Sequence, residues 1–161
     1  MSLTELSSIL WRERELLELL LFKLEEEQLL LAAGRSRWLG NATREVEMVL
    51  EEIRRAELSR AIEVDAVGSE LGLPDGASLR DLAEQAPGPW ADILRQHRTA
   101  FLALSQELAE LAQTNRELLA AGYRAARDAL ESMGSREVRT YSPTGQSVSR
   151  STGPSLLNEV G

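Results

Sequence analysis

Residues 90–133 read WADILRQHRTAFLALSQELAELAQTNRELLAAGYRAARDALESM, and this stretch decides the fold. Trp90, Leu94, His97, Phe101, Leu104, Leu108, Leu111, Asn115, Leu118, Gly122, Ala125 and Ala129 follow one another in alternating steps of four and three. Such steps keep side chains on one face of an α-helix, as in a heptad seam that packs against other helices. The row changes character along its length. Phe and Leu fill its first half, and Asn, Gly and Ala fill its second. Small residues let another backbone come close, or leave a groove for something outside the chain. Asn115 has two readings. A polar Asn on a seam costs stability and pins register; it can equally serve as a hydrogen-bonding point for a partner helix.

Working outward, the N-terminal segment repeats the theme. Leu3, Leu10, Leu17, Leu24 and Leu31 recur every seven residues, with Leu6 and Leu20 three positions after members of that row. Leu16, Leu19, Leu21, Leu29 and Leu30 widen the stripe, so more than one partner helix is expected. Gly34 is a natural stop. A second helix begins between Ser36 and Thr43, with Gly40-Asn41 as a possible break, and presents Val46, Val49, Leu50, Ile53 and Ala56 inward. It ends at residues 71–76, LGLPDG, where a proline and two glycines interrupt it. Ser78 and Asp81 stand as N-cap and N3 of a short helix. Pro89 suits the first turn of the next, which is expected to stop near Met133-Gly134-Ser135.

The expectation is therefore an all-α chain: a long antiparallel helical hairpin or bundle of three long helices plus one short one. Helices are placed at about 3–33, 37–71, 78–85 and 89–133. Together they make a helical domain over 1–134, followed by a mostly disordered tail over 135–161. Among 161 residues, 43% are hydrophobic but only 4% aromatic, which suits Leu- and Ala-filled helix packing. The net charge is −8, and the last 28 residues hold Arg136, Arg139 and Arg150 against Glu137 and Glu159, so the excess of acid lies in the helical part. That body repels phosphate backbones, and nucleic acid is not an expected partner. No apolar run approaches the roughly 20 residues that span a bilayer, so membrane insertion is not expected. With no cysteine and no basic leader pattern, the chain is expected to be cytoplasmic.

Chemistry-bearing constellations are sparse. His97 is the single histidine and reads first as a packed imidazole, with a pH or partner role as the alternative. It lacks the second Glu-x-x-His that a di-iron bundle needs. Residues 25–27, Glu-Glu-Glu, read as a solvated acidic face rather than a cation site. No phosphate-cradling glycine loop and no nucleophile-plus-base arrangement is present. The sequence points to a protein without catalysis, metal or cofactor.

Several segments in order carry a resemblance. They are residues 15–27 (ELLELLLFKLEEE), Ala33-Gly34, Leu71-Gly72-Leu73, residues 78–82 (SLRDL), residues 115–119 (NRELL) and residues 140–146 (TYSPTGQ). Together they resemble the FlgN family of flagellar type III export chaperones, with an Arg- and Ala-rich flavour similar to the actinobacterial branch. The resemblance implies a cytosolic chaperone that binds the C-terminal helical segments of the hook-associated proteins FlgK and FlgL, prevents premature assembly and delivers them to the export gate protein FlhA. Carried onto this chain, it implies client binding around Leu111, Asn115, Leu118, Leu119, Gly122, Ala126 and Leu130, and gate docking through Tyr141 with Gly145. The residues alone leave open a homodimeric structural coiled coil closed through the Leu3–Leu31 seam, or an acidic adaptor for a basic partner.

Overall fold

The computed structural model describes the backbone of residues 2–140 and the side chains of residues 2–134. Four helices account for most of it: α1 (Leu3–Ala32), α2 (Ser36–Glu70), α3 (Leu79–Gln85) and α4 (Trp90–Thr140). The fold is all-α, with three long helices and one short one, as the periodicity predicts. The chain divides into two units after Leu119, and α4 crosses that division.

Local chemistry sets the helix ends. Ser2 caps α1 in a reciprocal capping box with Glu5, and Ser78 does the same for α3 with Asp81. The Ser78 backbone N–H and then its hydroxyl hold the Asp81 carboxyl below its ordinary pKa. The C-termini of α1 and α2 close in the same way. Gly34 N–H donates to Leu31 O and Arg35 N–H to Leu30 O; Gly72 N–H donates to Ser69 O and Leu73 N–H to Gly68 O. Both glycines have positive φ, 65° and 78°, the left-handed conformation this cap requires. One possible break and one helix end differ from the sequence reading. α2 starts at Ser36 and runs through Gly40 unbroken, because flanking turns absorb the roughly 0.5–1 kcal/mol that an interior glycine costs. α4 likewise runs through Gly134 to Thr140. Pro89 stands one position before α4, its carbonyl accepting from Ile93 N–H.

Within the first unit, α1 and α2 form an antiparallel hairpin. Lys23 reaches Glu45 at 3.2 Å near the turn, and Glu13 reaches Arg60 at 3.2 Å further along. The first part of α4 lies along the hairpin parallel to α1, since His97 meets Ser7 and Asn115 meets Leu24 and Glu27. Two apolar clusters result. Leu6, Leu10, Val64, Val67, Leu82, Ala83 and Leu94 form the one that includes α3. Leu16, Leu20, Leu24, Val46, Val49 and Ile53 form the other, with Leu108, Leu111 and Ala112 of α4 against it. The α1 seam is thus filled from within the chain, by α2 and α4. Among the described residues, no helix is long and apolar enough to cross a membrane.

Candidate functional site

The α4 seam identified in the sequence is the face that meets the hairpin. Leu94, His97 and Asn115 on it are fully buried, and Phe101, Leu104, Leu108, Leu111 and Leu118 are half-buried. Further along α4, Leu119, Gly122, Ala126 and Leu130 are exposed. Leu119 is 40% exposed and Leu130 69%. In the second unit Tyr123 and Met133 are also exposed, at 69% and 64%. Of the expected client-binding residues, Leu111 and Asn115 are engaged by the hairpin. Leu118 is half-buried, and Leu119, Gly122, Ala126 and Leu130 are exposed. Tyr141 and Gly145, the expected gate-docking residues, lie outside the described residues.

Asn115 is held firmly. Its Nδ2 donates to Leu24 O at 2.9 Å and to Glu27 Oε1 at 3.1 Å, and Glu27 Oε2 accepts from Thr43 Oγ1 at 3.3 Å. One amide thereby ties α4 to α1, and through the Glu27 carboxyl group to α2. Asn115 Oδ1 is buried without a hydrogen-bond partner. Beside this tie, an apolar groove of about 380 Å³ opens among the three long helices, lined by Leu20, Leu24, Val46, Leu50, Leu108 and Leu119 together with Asn115.

A second polar layer separates the two apolar clusters. His97 is 1% exposed. Arg14 Nη1 is 3.5 Å from its Nδ1 and Ser7 Oγ is 3.3 Å from its Nε2. A guanidinium can only donate, so Nδ1 is the acceptor and Nε2–H donates to Ser7. Trp11 meets the imidazole edge-on at 5.2 Å, and Phe101 stacks at 6.5 Å. Burial first, and the Arg14 charge second, push the His97 pKa below its ordinary value. The histidine is therefore a packed neutral ring. Glu13 on α1 is also buried; desolvation raises its pKa against the opposing pull of Arg60.

The sequence reading missed Glu13 and Glu27. Residues 25–27 are not uniformly solvated: Glu25 is exposed, Glu26 half-buried and Glu27 buried. The signal was available. Leu6, Glu13, Leu20 and Glu27 form a strict seven-residue row, so a seam carrying Leu6 and Leu20 also carries the two glutamates.

No curated protein matches the chain, and no solved structure does. The family described as FlgN protein matches residues 1–149, nearly the whole length. The helical plan above and this match agree, and the chain belongs to the FlgN family.

Proposed function

We propose that this protein is a cytosolic flagellar export chaperone that binds the C-terminal helical segments of the hook-associated proteins FlgK and FlgL, keeps them from assembling early, and hands them to the export gate protein FlhA. The FlgN family is a chaperone family of flagellum assembly, which is the ground for the reading. The observation that carries it is the change along α4. As far as Leu118 the seam residues of α4 are buried or half-buried; Leu119, Gly122, Ala126 and Leu130, which follow, are apolar or small and exposed. An amphipathic helix laid on such a face buries its own apolar stripe, which is helix-in-groove recognition. Leu118, Leu119, Gly122, Ala126 and Leu130 make the client contacts in this reading, with Leu111 and Asn115 anchoring the helix that presents them. The filling of the Leu3–Leu31 seam from within the chain favours a client-binding bundle over a coiled coil that closes by homodimerisation.

Copurification with the C-terminal segment of a hook-associated protein tests the reading. The wild-type chain forms a stoichiometric complex, and Leu118→Asp combined with Leu119→Asp abolishes it while the far-ultraviolet circular dichroism stays helical. Undiminished client affinity in that double variant moves the surface elsewhere, and no complex with either hook-associated protein refutes the function. Gate docking through Tyr141 and Gly145 separates from client binding: Tyr141→Ala spares the client complex and impairs delivery. Weakened client binding in that variant would join the tyrosine to the client surface instead.

A further inference from the structure

The outer face of α1 carries large side chains that remain half or more exposed, Trp11 among them although one edge of its ring meets His97. Trp11, Phe22 and Leu29 are 52%, 55% and 70% exposed. At about 100° per residue, these three and Glu18 project within roughly 20° of one line along the helix, with Glu15 and Glu25 within about 40° on either side. The result is a stripe some 27 Å long on which aromatic and aliphatic groups alternate with carboxylates. The stripe is distinct from the buried row that runs through Leu6, Leu10, Leu20 and Leu24. Glu15 is paired with Arg12 at 3.8 Å, whereas Glu18 and Glu25 have no ionic or hydrogen-bonding partner among the described residues. Both aromatic rings already accept cations of this chain. Arg14 lies 4.2 Å from the Trp11 ring centroid and Lys23 5.5 Å from that of Phe22. About half of each side chain remains open beyond those contacts.

We propose that this outer face of α1 is a docking surface for a lysine- or arginine-rich amphipathic helix of a partner protein. Its apolar side would cover Trp11, Phe22 and Leu29, and its cations would meet Glu18 and Glu25. Charge complementarity selects this occupant. A second copy of a chain with net charge −8 would bring like charge to an acidic stripe. A cationic helix neutralises the two free carboxylates and offers further cations to the ring faces. The surface lies wholly on α1 and uses none of the α4 residues assigned to the client.

Calorimetric titration of the full chain with two designed 18-residue helical peptides tests this. Both peptides carry leucine at helical spacing; one is otherwise lysine and the other glutamate. The lysine peptide binds with 1:1 stoichiometry, and the glutamate peptide binds at least tenfold more weakly. Glu18→Lys with Glu25→Lys weakens the lysine peptide at least tenfold, and Phe22→Ala weakens it several-fold. Glu47→Lys with Glu107→Lys, an equal change in net charge at exposed positions on α2 and α4, leaves it within twofold. All these positions are exposed, so circular dichroism should be unchanged. The proposal is overturned if neither peptide binds, if the control pair weakens binding as much as the α1 pair, or if Phe22→Ala has no effect. It is also overturned if sedimentation shows a wild-type dimer that Phe22→Glu dissociates, which would make the face a self-association surface.

Discussion

Replacing Asn115 by leucine tests whether the amide tie is what holds α4 in register. The substitution removes the bonds to Leu24 O and Glu27 Oε1, each worth roughly 1 kcal/mol net. It also leaves the Glu27 carboxyl group, 6% exposed, with Thr43 alone among the described residues. An under-satisfied buried polar group adds about 1–3 kcal/mol, so the single variant should lose about 3 kcal/mol. Glu27→Leu leaves Asn115 still bonded to Leu24 O and should cost less, about 1–2 kcal/mol. The double variant places apolar side chains in both positions, and burying apolar groups of similar size in place of a polar pair is often close to neutral. The two changes are therefore strongly non-additive, with a coupling of about 2 kcal/mol or more in the direction of rescue. Urea unfolding followed by circular dichroism on the four members of the cycle measures this. Additive losses, with a double variant some 4–5 kcal/mol below wild type on the same estimates, would refute the claim that these groups act as one network. The rescued variant should also lose uniqueness of packing near that site, visible as broadened methyl resonances, because the amide no longer helps to fix the register of α4 there.

Two further predictions follow from the buried imidazole and from the exposed half of α4. The His97 pKa is lower in the folded state than in the unfolded chain, so the unfolded state takes up the proton first. Stability is complete above about pH 6.5 and falls as pH drops below it. Glu13, with its raised pKa, works in the opposite sense as pH falls toward 4.5. Thermal melts from about pH 7.5 to about pH 6 should show a falling midpoint in wild type and a flatter one in His97→Leu; equal slopes would refute the assignment. At Gly122 an added Cβ meets nothing within 4 Å. Gly122→Leu should raise helix stability by up to about 1 kcal/mol while weakening client binding about tenfold, because a branched side chain blocks close approach of the client backbone. Calorimetric titration with the client segment separates the two effects, and undiminished client affinity would remove Gly122 from the surface.

Much of the architecture is legible residue by residue. Ser78 with Asp81, and Gly34 and Gly72 after their helices, announce boundaries through local hydrogen bonding and φ alone, which nearby residues supply. The α4 heptad row identifies its inner face for the same reason, since a helical period is a property of consecutive residues. Gly40 and Gly134 show the limit of local signals. Gly40 reads as a break and Gly134 as a stop, and each lies inside a helix that the turns on both sides continue. The glutamates show a different limit. Glu13 and Glu27 are charged-type residues on an acidic helix, yet they are buried because Arg60, Thr43 and Asn115 arrive opposite them from other helices.

The sequence by itself determined the helices, their inner faces and the chain's place in the FlgN family, because periodicity, capping and ordered motifs are written in neighbouring residues. Only the tertiary structure decided what each seam position faces. Asn115, half register pin and half candidate contact on paper, is tied to Leu24 and Glu27. His97 is locked as a neutral ring between Ser7 and Arg14. Leu111 is engaged in packing, while Leu119, eight residues further along, is 40% exposed. These outcomes depend on side chains eighty or more positions apart in the chain, and a local pattern carries no information about which of them come together.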